Sequence, residues 1–283
     1  MGVRDKSMGK LKKVQSLAVL WIRDVYRSRR LIFDLANKDF KSRYAASYLG
    51  ILWAFVQPIV TVSIYILVFQ VGFKQGMKRD VPFALWLTIG IVPYLFFQEA
   101  LLSATNSLME FSYLVKKVVF KISVLPIVKI ISATYVHLFF IGLTVVVYFC
   151  FPMPAHIYMV QVFYYSFAAI VLVLGLSYIT ASMVVFFRDL GQIVNILLQF
   201  FMWLTPIMWD VNDMDWVSPG IHRFLKLNPV YYIISGYRDT FLDKVWFWEK
   251  GEWTVYFWAV ALLIAMLGTL TFKKLEKHFA DVL

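Results

Sequence analysis

The 283 residues are 61% apolar and only 16% charged, with a mean hydropathy of +0.70; a soluble domain averages about 25% charged, so the composition excludes a soluble globular protein and points to one polytopic membrane domain. The net charge of +11 invites a nucleic-acid reading, but twelve of the 28 Lys and Arg lie in residues 1–49, ahead of the first apolar span, where anionic lipid headgroups would attract them. Cys150 is the one cysteine, so no intrachain disulfide is expected.

Residues 1–30 form a basic N-terminal segment, and residues 31–283 read as a single transmembrane domain. The first apolar run, 17–22, is too short for the core of a signal peptide, and five charges follow in the next ten residues, so the first span is expected to be retained. Over 31–44, Leu31, Ile32, Leu35, Ala36, Phe40 and Tyr44 recur at helical spacing, while Asp34, Asn37, Lys38, Lys41 and Ser42 fill the other side. That pattern predicts an amphipathic helix lying in the membrane interface. Residues 50–69 carry no charge, and at about 1.5 Å per residue they span the ~30 Å hydrocarbon core.

Apolar runs predict six spans, about 50–69, 83–104, 127–151, 157–187, 190–209 and 253–272, in an all-α membrane protein. With the N-terminus in the cytoplasm, the inside segments hold 20 Lys and Arg and the outside segments 8, so the positive-inside rule places both termini in the cytoplasm. The fourth span is longer than a bilayer needs and must tilt, project or bend, with Gly175 the candidate hinge. Only Arg188 and Asp189 separate it from the fifth span.

Four segments carry candidate function. In 105–125, a short helix capped by Thr105 or Asn106, with Glu110 in an early turn, is either an ordinary connection or a knob that fits a cytoplasmic partner. The Arg188–Asp189 turn is a helix end with a local ion pair or a docking and gating element. Gln192, Asn195 and Gln199 share one face of the fifth span, which packs against another helix or lines a polar path. In 210–252, the apolar run 230–235 is too short to cross, and Asn228 can cap a helix that begins at Pro229. Two short re-entrant helices before the last span fit this pattern, and such backbone survives only where protein or water covers it. Fourteen aromatics fall within 209–258, serving as an interfacial belt or as flat faces for sugar rings.

Charges inside the spans are scarce. Glu99 lies near one end of the second span, Lys129 sits near an end where it can snorkel, and His137 is mid-span, suited to hydrogen-bonded packing or a proton relay. No mid-membrane carboxylate suits ion coupling, and no phosphate-cradling GxxxxGK[ST] occurs. ATP drive therefore requires a separate ATPase chain.

Four stretches, KDFKSRYAASYLGILWAFVQP at 38–58, NSLMEFSYLVKKVVFKISVLP at 106–126, FFRDLGQIVNILLQFFMWLTPIMW at 187–209 and LNPVYYIISGYRD at 227–239, together with the ending FKKLEKHFADVL, resemble the permease subunits of bacterial ABC exporters for surface polysaccharides: O-antigen, capsule or teichoic acid. The resemblance runs from about residue 30 to the end. The chain departs from it in a longer, more basic N-terminus and at Lys121-Ile122-Ser123, where a proline is usual and Pro126 takes over the turn.

The resemblance implies a homodimer of six-span protomers in the bacterial cytoplasmic membrane with two ATPase subunits docked below, ATP and magnesium residing on those partners and no metal or cofactor on this chain. It implies ATPase contact at Lys38, Asp39, Arg43, Asn106, Glu110, Tyr113, Leu114, Lys116 and Lys117. Substrate would be taken up past Lys41, Arg43 and Arg188, where an anionic lipid-pyrophosphate head is drawn. A channel and gate would involve Gln192, Asn195, Gln199, Trp203, Asn228, Pro229, Tyr231 and Tyr232. The expected cargo is a lipid-linked cell-surface polysaccharide. The alternatives are a membrane enzyme acting on polyprenyl-linked sugars, for which Asp210, Asp213 and Asp215 are the one dense acidic group, and a stand-alone channel.

Overall fold

The computed structural model describes residues 23, 25–45, 47–74, 76–78, 81–115, 121–210 and 218–283. Its first element is the helix α1 (Arg29–Tyr44). A first apolar stretch, Gly50–Gly72, follows as a tight turn, the helix α2 (Trp53–Ile66) and a widened turn at Leu67–Gly72. A two-residue antiparallel hairpin, β1 (Met77–Lys78) and β2 (Val81–Pro82), interrupts the helices with Met77 opposite Pro82. Then come α3 (Phe83–Glu110), the short α4 (Ser112–Val115) and α5 (Leu125–Cys150), which has Pro126 in its first turn where no N–H is missed. The chain continues through α6 (Val162–Val184), α7 (Leu190–Leu204), α8 (Pro219–Lys226) and α9 (Pro229–Arg238). It ends with α10 (Gly251–Leu275) and α11 (Phe279–Val282).

Five helical stretches among the described residues are long and apolar enough to cross a membrane: Gly50–Gly72, Phe83–Glu110, Ile122–Cys150, Ile157–Val184 and Gly251–His278. The helix in the expected fifth span is shorter. α7 holds 15 residues, about 22 Å of rise, and the chain turns extended at Thr205 (φ −79°, ψ 133°). The cause is local: Thr205 precedes Pro206, whose ring disfavours helical backbone in the residue before it.

The 105–125 expectation also needs correction. α3 runs unbroken to Glu110, so Thr105 and Asn106 are interior residues, not caps. Thr105 Oγ1 donates to the Leu101 carbonyl at 2.8 Å and Asn106 Nδ2 to that of Leu102 at 3.1 Å. The Thr105 hydroxyl also lies 2.7 Å from that of Thr180 on α6. The fall in hydropathy after residue 104 marks no helix end, because protein contacts replace lipid there.

α3 is the central helix. Of its most apolar window 78% is buried, against 6% for Gly50–Gly72 at the periphery. Trp86, Tyr94, Phe97, Ala100 and Leu101 of α3 pack with Ile130 and Ala133 of α5, Tyr165 and Leu172 of α6, Leu198 of α7 and Tyr237 of α9. In lipid, apolar contact alone gives little drive, so close van der Waals fit must hold such helices together. Gly175 supplies that fit: a Cβ there would lie 2.8 Å from the Ala265 backbone nitrogen on α10. A second cluster joins Leu108, Val115, Leu125 and Tyr178 to Phe272 and Phe279.

Candidate functional site

Three places gather polar groups. In the first, α1 meets α3 and α5. Ile32 and Ala36 of α1 pack on Val124 and Val128, which turns the next helical position inward and buries the Asp39 carboxylate. Lys129 of α5 reaches it, with Nζ 2.5 Å from Asp39 Oδ1, and also pairs with Glu110 at the end of α3. The Lys129 ammonium sits 4.9 Å from the Phe111 ring centroid. Asp39 Oδ2 accepts from Arg43 at 3.1 Å, one turn along α1, and Arg43 in turn binds Glu99 of α3. Alternating charges thus run Glu110, Lys129, Asp39, Arg43, Glu99 across three helices. Burial alone would lower the Arg43 pKa, but Glu99 and Asp39 more than offset it and hold it above the ordinary arginine value. Lys129 does not snorkel, since its ammonium is enclosed by two carboxylates.

The second place is a cavity of about 470 Å³ between α2, α3, α5 and α7. Gln57, Gln98 and Gln199 line it with Glu99, Tyr44, Tyr65, His137 and Trp203. The buried face of α7 is Gly191, Val194, Leu198 and Met202. Gln192, Gln199 and Trp203 lie roughly 100° around the helix from it, at about 100° per residue. Of the α7 stripe, Gln199 and Trp203 border the cavity, whereas Gln192 and Asn195 do not. His137 is buried, its Nε2 2.9 Å from the Tyr237 hydroxyl and its ring stacked on Phe96 at 4.3 Å. That is a packing arrangement.

The third place is a cup of about 650 Å³ where α8 and α9 meet the start of α10, lined by Tyr231, Tyr232, Asp239, Lys250 and Trp253 among others. Asn228 caps α9 as expected: its Oδ1 accepts from the Val230 N–H at 3.0 Å and its Nδ2 donates to Thr205 Oγ1 at 2.9 Å. Pro219 opens α8 after Ser218, the favoured first position for a residue without an N–H. Tyr232 stacks on Phe257 at 4.6 Å, and its hydroxyl lies 3.0 Å from that of Tyr164. Asp239 binds Lys250 through both oxygens, at 2.7 and 2.6 Å.

The residues expected to act together therefore separate. Lys38, Lys41, Tyr113, Arg188 and Asp189 are exposed and Leu114 is half-buried. Asp39 is buried, while Arg43 and Glu110 are paired inside the chain. Asn106 faces α7, where a Cβ on Gly191 would lie 2.8 Å from its Oδ1. Of the gate group, Gln199 and Trp203 border the interhelical cavity and Tyr231 and Tyr232 the cup, while Gln192, Asn195, Asn228 and Pro229 line neither. Lys116, Lys117, Asp213 and Asp215 lie outside the described residues. Arg238, a further buried group, donates to the Pro206 and Ile207 carbonyls at 2.9 and 2.6 Å and stacks 3.6 Å from the Trp86 ring centroid.

Comparison with known families decides what this arrangement belongs to. The ABC-2 type transporter family matches residues 30–242. The chain belongs to the ABC-2 type transporter family. It is a multi-pass membrane permease, a transport subunit and not an enzyme, of a class that pairs with an ATPase subunit. It is similar to the O-antigen export system permease protein RfbA of Klebsiella pneumoniae, 29% identical over 89% of this chain and 95% of that one. A second protein of that name and organism is 27% identical over the same shares. One from Myxococcus xanthus is 24% identical over 92% of this chain and 98% of its own. The ABC-2 permease match begins at residue 30, so it takes in α1 and its ion pairs from the first residue of Arg29–Tyr44 but one.

Proposed function

We propose that the chain is the channel-forming permease of an ATP-driven exporter that moves a lipid-linked cell-surface polysaccharide across a bacterial cytoplasmic membrane. The observation that carries this reading is the end-to-end likeness to permeases named for O-antigen export, over 95% or more of their length. The cavity adds chemical support. Three glutamine amides and two tyrosine rings offer donors, acceptors and flat faces, which suits hydroxyl-rich rings without demanding one stereochemistry.

In this reading both termini are cytoplasmic. α7 with the residues that follow it serves as a sixth, short crossing, and α8 and α9 dip in from the outer side and return. Two copies pair through apolar faces left open on Gly50–Gly72 and on α7, where Ile196, Phe200 and Trp203 are exposed. Two copies of an ATPase subunit, with ATP and magnesium, dock below. Contact falls to exposed Lys38 and Tyr113 with Leu114, Lys116 and Lys117, backed by Asp39, Arg43 and Asn106 and by the half-exposed Glu110. Lys41 and Arg188, exposed and cationic, draw the anionic lipid-pyrophosphate head. Arg43 is less free for that task because two carboxylates hold it. Gln192, Asn195, Gln199 and Trp203 face the path, and Asn228, Pro229, Tyr231 and Tyr232 sit at the outer gate.

Depletion in the native host tests this. Surface glycan should fall, lipid-linked glycan should build up inside, and wild-type chain should restore export while Gln57→Leu with Gln199→Leu should not. Normal surface glycan in cells lacking the chain would sink the proposal.

A further inference from the structure

Lys129 is the most enclosed Lys or Arg among the described residues. It is 2% exposed, and it meets one carboxylate from each of two helices. Asp39 belongs to α1, the helix proposed to face the ATPase. Glu110 is the last residue of α3, next to α4, the other element proposed to face it. A bare connection between two helices would be served by apolar contact, as Ile32 on Val128 already provides. A buried ion pair is costly to build and gains little stability over apolar residues, but its charges hold one relative placement of the helices and penalise every other.

The series continues past Asp39 through Arg43 to Glu99, which lines the interhelical cavity. Glu99 and Glu110 are eleven residues apart on one helix, about 16 Å. The ion pairs therefore bridge three turns of α3 by way of two other helices. We propose that Lys129 is a positioning residue for transport. It locks α1 to the end of α3, so that movement imposed by the ATPase on either element reaches both, and through Arg43 and Glu99 reaches the mouth of the cavity. Lys129 touches neither nucleotide nor glycan. Its task is to make two contact elements act as one lever, and bistable packed elements of this kind are what transmit such movement.

This inference rests on the exporter reading above, and the experiment separates the two. The permease is co-expressed with its ATPase subunit, purified and reconstituted. Four variants are compared: Lys129→Met, Lys129→Arg, the exchanged pair Asp39→Lys with Lys129→Asp, and Glu110→Gln. ATP hydrolysis is read with and without lipid-linked glycan, and export is read in cells. Lys129→Met should assemble and hydrolyse ATP at the wild-type basal rate, while glycan stimulation is lost and export falls at least tenfold. Lys129→Arg or the exchanged pair should recover at least a third of the stimulation.

If Lys129→Met does not assemble, Glu110→Gln decides, because that carboxylate is half-exposed and its loss leaves the fold standing; it should reduce stimulation at least threefold. Full stimulation and export in Lys129→Met, or in Glu110→Gln where the former does not assemble, would overturn the lever. A wild-type complex with no glycan-stimulated hydrolysis would overturn the exporter reading, and the lever's role with it. Thermal unfolding of Asp39→Asn, Lys129→Met and their double variant identifies that second case, since the melting temperatures are non-additive wherever the ion pair exists and additive where it does not.

Discussion

Gly268 on α10 lies against the backbone of Gly175 on α6, so close that a Cβ on Gly268 would stand 2.3 Å from the Gly175 carbonyl oxygen. Backbone cannot rotate aside as a side chain can. Gly268→Ala should therefore force the two spans apart at a cost of roughly 1–3 kcal/mol, as overpacking does. Gly142→Ala on α5 is the control, since nothing lies within 4 Å of its added methyl; alanine there should be neutral or gain up to ~1 kcal/mol in helix propensity. Thermal unfolding of the purified permease in detergent checks both.

Arg238 fastens α9 to the segment after α7. Its two terminal nitrogens satisfy the carbonyls of Pro206 and Ile207, and its plane covers Trp86. Arg238→Met should leave both acceptors without this donor, at about 1–3 kcal/mol each. Arg238→Lys should recover only part of that, because a point ammonium cannot reproduce the planar fork. Equal stability of the lysine and arginine forms would show that the fork is not what matters.

Asn228 has two duties that substitutions can part. Asn228→Ala should cost about 1 kcal/mol through the lost cap. Asn228→Asp keeps the acceptor for the Val230 N–H and should cost less, with the Thr205 hydroxyl turning donor in its place. Hydrogen exchange at Val230 reads the cap directly: faster exchange in the alanine form and near wild-type exchange in the aspartate form are expected.

Arg188 and Arg43 should respond differently to charge reversal. Arg188→Glu changes an exposed turn, so the melting temperature should hold while export drops about tenfold if that cation draws the lipid head. Arg43→Glu places a third acid between Asp39 and Glu99 and should lower both. A stable, fully exporting Arg188→Glu permease would remove Arg188 from uptake.

Much of the fold was legible because apolar runs in a membrane protein are long and unambiguous. Pro229 after Asn228 announced a helix start, and the cap is there. The errors came where protein, not lipid, surrounds the chain. Thr105 and Ser107 lower the hydropathy of α3, yet both are buried and hydrogen-bonded, so the apparent membrane edge was not a helix end. Thr205 and Pro206 sit within an apolar run, although the proline announces extended backbone.

The site was legible in its residues but not in their partners. Asp39 and Arg43 stand four apart on one face, the spacing of a local ion pair. Nothing in that spacing says the face turns toward Lys129, ninety residues later. The one signal was the cost of Lys129 itself, a charge within an apolar stretch that demands a partner. The division of the gate residues between two cavities depends on how α7 and α9 pack, which periodicity does not encode.

The measurement that tests the central claim most directly is co-purification of the tagged permease with an ATPase subunit encoded beside it, followed by ATP hydrolysis with and without Tyr113→Ala. Tyr113 is exposed at the α4 surface. The account predicts a complex of two permeases and two ATPases whose glycan-stimulated hydrolysis is lost in Tyr113→Ala while its fold is kept. A permease that purifies alone in mild detergent and conducts without an ATPase would contradict it.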